Sequence, residues 1–171
     1  MKKILLLGGS AQQIIAIEAA KRLGYYTVLC DYLTDNPGRY LADKFYLRST
    51  TDKETILNIA KEERVDGVVA YASEPAALTS AYVSENLGLP GNPYKSVEIL
   101  CNKDKFREFL TIHGFFTPKA RSYGAVEAAF DDINGDIFQS SVIVKPVDSS
   151  GSKGVSRIKK GESQNAIVQK L

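Results

Sequence analysis

The chain has 171 residues, 44% of them hydrophobic and 25% charged, with a formal net charge of +2. These proportions are those of an ordinary soluble globular protein and exclude wholesale disorder. So small a charge gives no electrostatic ground for a nucleic-acid or anionic-lipid partner.

The opening M-K-K-I-L-L-L-G-G-S carries an apolar run of four residues that Gly8-Gly9 breaks. That is too short for a signal-peptide core of about 7–15 residues or a membrane span of about 20, so a cytoplasmic protein is expected. Residues 4–7 read as a strand, the glycine pair as a tight turn, and residues 11–23 as a helix with Ile14, Ile15, Ala19 and Leu23 at helical spacing. Strands are predicted at residues 26–30 and 45–47. Thr51 with Glu54 forms a capping-box pattern before a helix whose apolar face is Ile56, Ile59 and Ala60. Residues 67–71 lack alternation, as expected of a strand covered on both faces, and Pro75 opens a helix that stops before Gly88. Alternating strands and helices predict a doubly wound parallel α/β sheet for residues 1–91. Cys30 and Cys101, which have no metal-ligand spacing and form no disulfide framework, are expected to fill apolar sites within this pattern.

Two prolines and two glycines within residues 87–93 propagate neither helix nor ladder, and the domain boundary is placed there. Residues 92–116 are predicted as connecting helices, one from Asn92-Pro93 to Cys101 and one capped by Asn102 and stopped by Gly114. In the second of these Phe106, Phe109, Leu110 and His113 share a side, where the lone histidine reads as packed or at a surface rim. Residues 117–171 read as a strand at 119–123, a helix at 125–133, strands at 142–145 and 155–158, and a helix from Glu162 with Ala166, Ile167 and Leu171 on one face. That helix has no stop signal, so this unit is expected to be an incomplete α+β subdomain.

The chemistry concentrates at Lys145 and the loop D-S-S-G-S-K-G, residues 148–154. Gly151 and Gly154 can adopt positive φ, and the intervening serines leave little bulk, so successive backbone N–H groups can face phosphate oxygens while Lys145 supplies a point charge. Pro146 keeps Lys145 extended. A mobile hairpin loop with a solvated lysine remains the other reading of the same residues. No Walker-type phosphate loop occurs, and residues 8–13 depart from G-x-G-x-x-G at Ser10 and Gln13. Gly8, Gly9 and Ser10 nevertheless precede a helix N-terminus that attracts anions, and Asp31 ends the second strand where a dinucleotide-binding fold reaches a ribose. Glu74 stands at the carboxyl edge of the sheet, where either a substrate contact or simple helix-end electrostatics accounts for it. Lys103 at a helix N-terminus is electrostatically misplaced, which favours an anionic partner; Lys105 reads as solvated. No Ser/His/Asp constellation or metal cluster can be assembled.

In this order, these residues resemble the ATP-grasp superfamily, in particular its carbamoyl-phosphate-synthase-like and biotin-carboxylase-like members. The resemblance covers an α/β pre-ATP-grasp domain, a connecting helix N-K-D-K-F-R-E-F-L-T-I-H-G and a lid subdomain bearing V-K-P-V-D-S-S-G-S-K-G-V. It implies that Lys103, eleven positions before Gly114, and Lys145 contact ATP phosphates. The residues Ser149, Ser150, Gly151, Ser152, Lys153 and Gly154 would form a lid over them, and Gly8, Gly9, Ser10 and Glu74 would face a second substrate. The implied chemistry is ligation: Mg-ATP activates a carboxylate as an acylphosphate that an amine or other nucleophile displaces. Magnesium ligands, adenine hinge and catalytic arginine would follow residue 171, so no catalytic or metal residue is assigned and residues 1–171 alone are expected to be inactive. Small carboxylates and amines are the expected partners, and oligomeric state stays open, with a homodimer among the options. Two alternatives from other classes are a non-catalytic small-metabolite binding module and an NAD-dependent oxidoreductase built on the first domain.

Overall fold

The computed structural model describes residues 1–135, 137–149 and 151–163, with Asn134 described in its backbone only. They fall into two units, Met1–Cys101 and a second from Asn102 onward. In the first, strands β1 (Lys3–Leu7), β2 (Tyr26–Asp31), β3 (Lys44–Leu47) and β4 (Gly67–Val69) form one parallel sheet in the order β3-β2-β1-β4. Helix α1 (Ile14–Arg22) follows β1; α2 (Lys53–Glu63) and α3 (Glu74–Leu87) flank β4 in sequence.

Strand β1 explains why the sheet is wound on both sides. Successive side chains point to opposite faces, and this strand is apolar on both. Leu5 and Leu7 join Val28 and Cys30 in a core closed by Ile56, Ile59 and Ala60 of α2 and Val83 of α3. Leu6 points the other way, with Leu29, onto Ile17 of α1. Eight of those side chains, Leu5, Val28, Cys30, Leu29, Ile17, Ile56, Ala60 and Val83, are wholly inaccessible to solvent. Cys30 is thus a core residue, and burial pushes its thiol up to about 12.

Several local details differ from the sequence expectation. The first helix begins as a 3-10 turn at Ala11–Gln13. The N-cap of α2 is Asp52, whose carboxylate accepts from the Thr55 amide at 3.1 Å, while Glu54 accepts from the Tyr82 hydroxyl at 2.5 Å. Asp52 displaces the Thr51–Glu54 capping box because a carboxylate one residue later reaches the same orphan donors with a full charge. Helix α4 (Tyr94–Cys101) falls in the first unit rather than with the connecting segment. Tyr94 draws it there. Its hydroxyl accepts from Lys53 Nζ at 2.5 Å, its amide donates to Glu85 at 3.2 Å, and its ring meets Tyr82 edge-on at 6.1 Å.

In the second unit, α5 (Lys103–Ile112) precedes an extended segment, α6 (Val126–Asn134) and an antiparallel hairpin of β5 (Val142–Val144) and β6 (Ser156–Ile158). Residues 119–123 form no strand. Arg121 and Tyr123 instead reach the Asp132 carboxylate of α6 at 2.9 and 2.5 Å, so side chains rather than a ladder hold this segment. Ala129 and Ile133 of α6 pack on Ile158, with Val142 and Val144 beside them. No residue of α5 is buried, and His113 caps it, exposed, with its ring 4.3 Å from Phe109. The expected helix from Glu162, with Ala166, Ile167 and Leu171, lies outside the described residues.

The amino edge of the parallel sheet is closed by charge. Glu63, only 5% exposed, accepts from Lys44 Nζ, from the Tyr46 hydroxyl at 2.6 Å and from Lys3 Nζ at 2.9 Å. In that order these donors hold its carboxyl at about 2, against an ordinary value of 4.5. Because the folded value lies below the unfolded one, the stabilisation is complete above pH 4.5 and is lost as pH falls toward 2. The urea midpoint should therefore drop across that interval, and Glu63→Gln should flatten the drop. An acid limb of unchanged steepness in the variant would show that the cluster carries no such linkage.

Candidate functional site

Two groups of residues bear on ligand chemistry, one in each unit. In the first unit, the loop after β1 sits at the carboxyl edge of the sheet, where open α/β sheets hold ligands. Gly8 takes φ 107°, and a Cβ there would lie 2.2 Å from the Gln13 amide. A Cβ on Gly9 would lie 2.2 Å from Asn36 Oδ1, and one on Gly38 would lie 2.7 Å from Gly9 Cα. These glycines make room for one another and for two buried amide side chains.

The backbone donors of this loop are engaged within the protein. Gly8 N–H donates to the Cys30 carbonyl at 2.9 Å, Gly9 N–H to Asp31 Oδ2 at 2.7 Å, and Ser10 N–H to Gln13 Oε1 at 2.8 Å. The expected anion-attracting N–H groups of Gly8, Gly9 and Ser10 are thus already satisfied. Asp31 is 6% exposed, and its second oxygen accepts from the Leu33 amide at 2.8 Å. Both oxygens serve the protein's own backbone, which removes the ribose contact a dinucleotide site requires. Sequence inspection missed Gln13, which is 6% exposed. Its Nε2 donates to the Tyr71 carbonyl at 3.1 Å while Oε1 holds Ser10, so it ties the loop after β1 to the loop after β4. A glutamine standing at a glycine position of G-x-G-x-x-G was the available signal. Glu74 opens α3 three residues beyond Tyr71, with its side chain exposed.

In the second unit, Lys103 and the glycine loop come together. The Lys103 amide donates to the Val147 carbonyl at 3.0 Å, and its Nζ donates to the carbonyls of Val147, at 3.4 Å, and Ser149. The lysine expected to meet an external anion is therefore bonded to the loop. Beside it Asp104 Oδ1 is buried without a hydrogen-bond partner. Lys145 follows β5, exposed, with no hydrogen bond or ion pair among the described residues. Gly151, Ser152 and Gly154 take φ of 64°, 58° and 69°, and the Ser149 hydroxyl donates to the Lys153 carbonyl at 2.9 Å, folding the loop on itself. Ser150 lies outside the described residues. A Cβ on Gly154 would lie 2.8 Å from Pro146 Cγ, whereas nothing lies within 4 Å of one on Gly151. Gly154 is thus required by backbone conformation and by space. Among the described residues no group of three or more His, Cys, Asp or Glu could hold a metal ion, and no helix is long and apolar enough to cross a membrane.

The parallel first unit followed by a hairpin-and-helix unit recurs in solved structures. An L-amino acid ligase from Bacillus licheniformis matches over 99% of this chain and 42% of its own, with a TM-score of 0.74 and 22% identity. An N5-carboxyaminoimidazole synthetase from Staphylococcus aureus complexed with ADP gives a TM-score of 0.76 at 17% identity, over 99% of this chain and 44% of its own. In sequence, a formate-dependent phosphoribosylglycinamide formyltransferase of Synechococcus sp. strain WH7803 is 31% identical over 165 residues, 95% of this chain and 42% of the relative. That of Prochlorococcus marinus strain NATL2A is 28% identical over 169 residues, again 42% of the relative. These likenesses span nearly the whole of this chain and the N-terminal portion of its relatives, they show a shared fold, and they agree with the resemblance to the ATP-grasp superfamily read from the sequence. It spans less than half the length of the curated relatives it matches. No family profile matches the sequence.

Replacing Asp31 separates its two readings. With its carboxylate absent, the buried N–H groups of Gly9 and Leu33 lose their acceptor, at roughly 1–3 kcal/mol each. Asp31→Ala should accordingly lower the urea midpoint of the whole first unit in an equilibrium denaturation. A variant as stable as the parent would return Asp31 to the role of a ligand contact.

Proposed function

We propose that this chain forms the N-terminal part of an ATP-dependent ligase that activates a small carboxylate and joins it to an amine or other nucleophile. The observation that carries this reading is that in the second unit Lys145, at the end of β5 and without a hydrogen bond or ion pair among the described residues, leads into a loop whose Gly151, Ser152 and Gly154 are all left-handed. Such a loop presents successive N–H groups to one side, an arrangement suited to phosphate oxygens. The comparisons support it: chains of this fold include a synthetase solved with ADP and an L-amino acid ligase.

In this reading Lys103, Lys145 and the loop residues Ser149, Ser150, Gly151, Ser152, Lys153 and Gly154 hold the nucleotide phosphates. The residues fit such a group, because Gly154 leaves no room for a side chain beside Pro146 and Lys145 offers an uncommitted cation. Bound ATP would supply the phosphoryl group. Lys145 fixes the phosphates by charge, and the loop's small residues let its backbone approach them while displacing water; positioning and charge neutralisation of this kind dominate phosphoryl transfer. Magnesium belongs to the proposal as the partner of ATP, and no residue of this chain is assigned to it.

The first unit is proposed to hold the second, small-molecule substrate at its carboxyl edge. There Glu74 contributes an exposed carboxylate, while Gly8, Gly9 and Ser10 contribute shape rather than backbone donors.

Calorimetry on the chain with ATP, with tripolyphosphate and with NADH tests the assignment. ATP and tripolyphosphate should bind, and Lys145→Ala should weaken both by about tenfold or more, the scale of one hydrogen bond to a charged group, with no change in melting temperature. Binding of NADH without ATP would overturn the proposal, and unfolding of Lys145→Ala would make that lysine structural.

A further inference from the structure

A cleft of about 320 Å³ opens among α2, α3 and α4, lined by Lys53, Tyr82, Glu85, Asn86 and Tyr94. At the small end of the roughly 300–1,000 Å³ spanned by ligand pockets, it has room for a molecule of amino-acid size. All five residues belong to the first unit, and none comes from the loops after β1, β2 and β4 that form the carboxyl edge of the sheet. The charges of the cleft are arranged around one tyrosine. The Tyr94 hydroxyl accepts from Lys53 Nζ at 2.5 Å, and the Tyr94 amide donates to Glu85 Oε2 at 3.2 Å. Lys53 and Glu85 thus stand at the two ends of one residue, and neither forms an ion pair among the described residues. The Lys53 ammonium lies instead over the rings of Tyr94, at 4.8 Å, and Tyr82, at 5.9 Å, which meet edge-on. Such rings attract a cation but leave its charge without an anion. Glu54 is committed to the Tyr82 hydroxyl at 2.5 Å, whereas Glu85 Oε1 and Asn86 Oδ1 have no partner among the described residues.

We propose that this cleft binds a free amino acid with an aromatic side chain. The ligand's carboxylate meets Lys53, its ammonium group meets Glu85, and its ring lies against Tyr82 and Tyr94. Selection follows from the pairing of signs. A plain carboxylate finds Lys53 but faces Glu85, and a plain amine finds Glu85 but faces Lys53, so each carries one repulsive contact. A zwitterion turns both contacts into charge-assisted bonds, roughly twice as strong as neutral ones. Asn86 Oδ1 offers the ammonium group a further acceptor, and the two tyrosine rings favour an aromatic side chain through offset or edge-on stacking. The site shares no residue with the lysine and glycine loop of the second unit, so it stands whether or not that loop holds a nucleotide.

Calorimetry on the chain with L-phenylalanine tests the site, with three relatives of that probe as controls. These are 3-phenylpropionate, which lacks the ammonium group, phenethylamine, which lacks the carboxylate, and L-alanine, which lacks the ring. L-Phenylalanine should bind saturably, and 3-phenylpropionate and phenethylamine at least about tenfold more weakly, the scale of one hydrogen bond to a charged group. L-Alanine should also bind more weakly than L-phenylalanine. Glu85→Gln keeps the side chain's shape and its acceptor for the Tyr94 amide. It should abolish the preference over 3-phenylpropionate and leave the preference over phenethylamine. Lys53→Met should do the reverse. A purely structural role for either residue would weaken all the ligands together. Glu85 is exposed, so Glu85→Gln decides the matter even where Lys53→Met fails to fold.

Absence of saturable L-phenylalanine binding up to its solubility limit would overturn the site. Equal affinity for L-phenylalanine, 3-phenylpropionate and phenethylamine, or preferences that Glu85→Gln does not move, would overturn the reading of both charges. L-Alanine binding as tightly as L-phenylalanine would overturn the role of the rings.

Discussion

The carboxyl edge of the parallel sheet depends on the buried carboxylate of Asp31. It takes the Gly9 amide on one oxygen and the Leu33 amide on the other, so the loops after β1 and β2 are fastened to a single charged group. A buried carboxylate needs hydrogen-bond partners, and here the partners are backbone donors that would otherwise point toward a ligand. Asn36 and Gly38 complete the arrangement: Asn36 accepts from the Arg39 amide at 3.0 Å, and Gly38 N–H donates to the Gly9 carbonyl at 2.8 Å. The result is a rigid floor whose polar backbone groups are already paired. The substrate contact proposed for this edge therefore falls to side chains such as Glu74, not to an open nest of amides.

The second unit distributes its donors differently. Its hairpin loop uses side chains to hold carbonyls, from Lys103 and Ser149, and takes left-handed backbone at Gly151, Ser152 and Gly154. Carbonyls held in this way are compatible with N–H groups facing a ligand, because the side chains engage the loop's C=O groups and not its N–H groups. The same small-residue composition thus yields opposite outcomes in the two units, and the neighbouring charge decides which. A carboxylate sits under the first loop and an ammonium under the second.

Periodicity made most of the α/β unit legible before any coordinates. The unalternating apolar runs of β1 and β4 required a sheet covered on both faces, and the order of strands and helices required parallel pairing. What could not be read were partnerships made across the chain. Asp31 and Gly9 are 22 positions apart and Lys103 and Ser149 are 46, so nothing local announces that each pair shares a hydrogen bond. The same limit explains residues 119–123, which were expected as a strand although they hold no β-branched residue but do hold Arg121 and Tyr123. Those side chains found Asp132 of α6 instead, nine and eleven positions along. Tyr94 likewise carried α4 into the first unit through contacts with Lys53 and Tyr82 that no spacing rule contains.

Gly154 and Gly151 look interchangeable in the sequence and differ in their surroundings. The first is wedged against Pro146, and the second has open space on its Cβ side. The loop is thus packed at its Gly154 end and bonded to Lys103 at its Val147 and Ser149 end, with open space at Gly151 between them. A displacement of the Gly151 tip would leave the packed Gly154 side in place, as a flap turns on one edge. Added chain length at Gly151 would extend the flap outward, while the same insertion at Gly154 would dislodge the seam between the strands that carries Lys145.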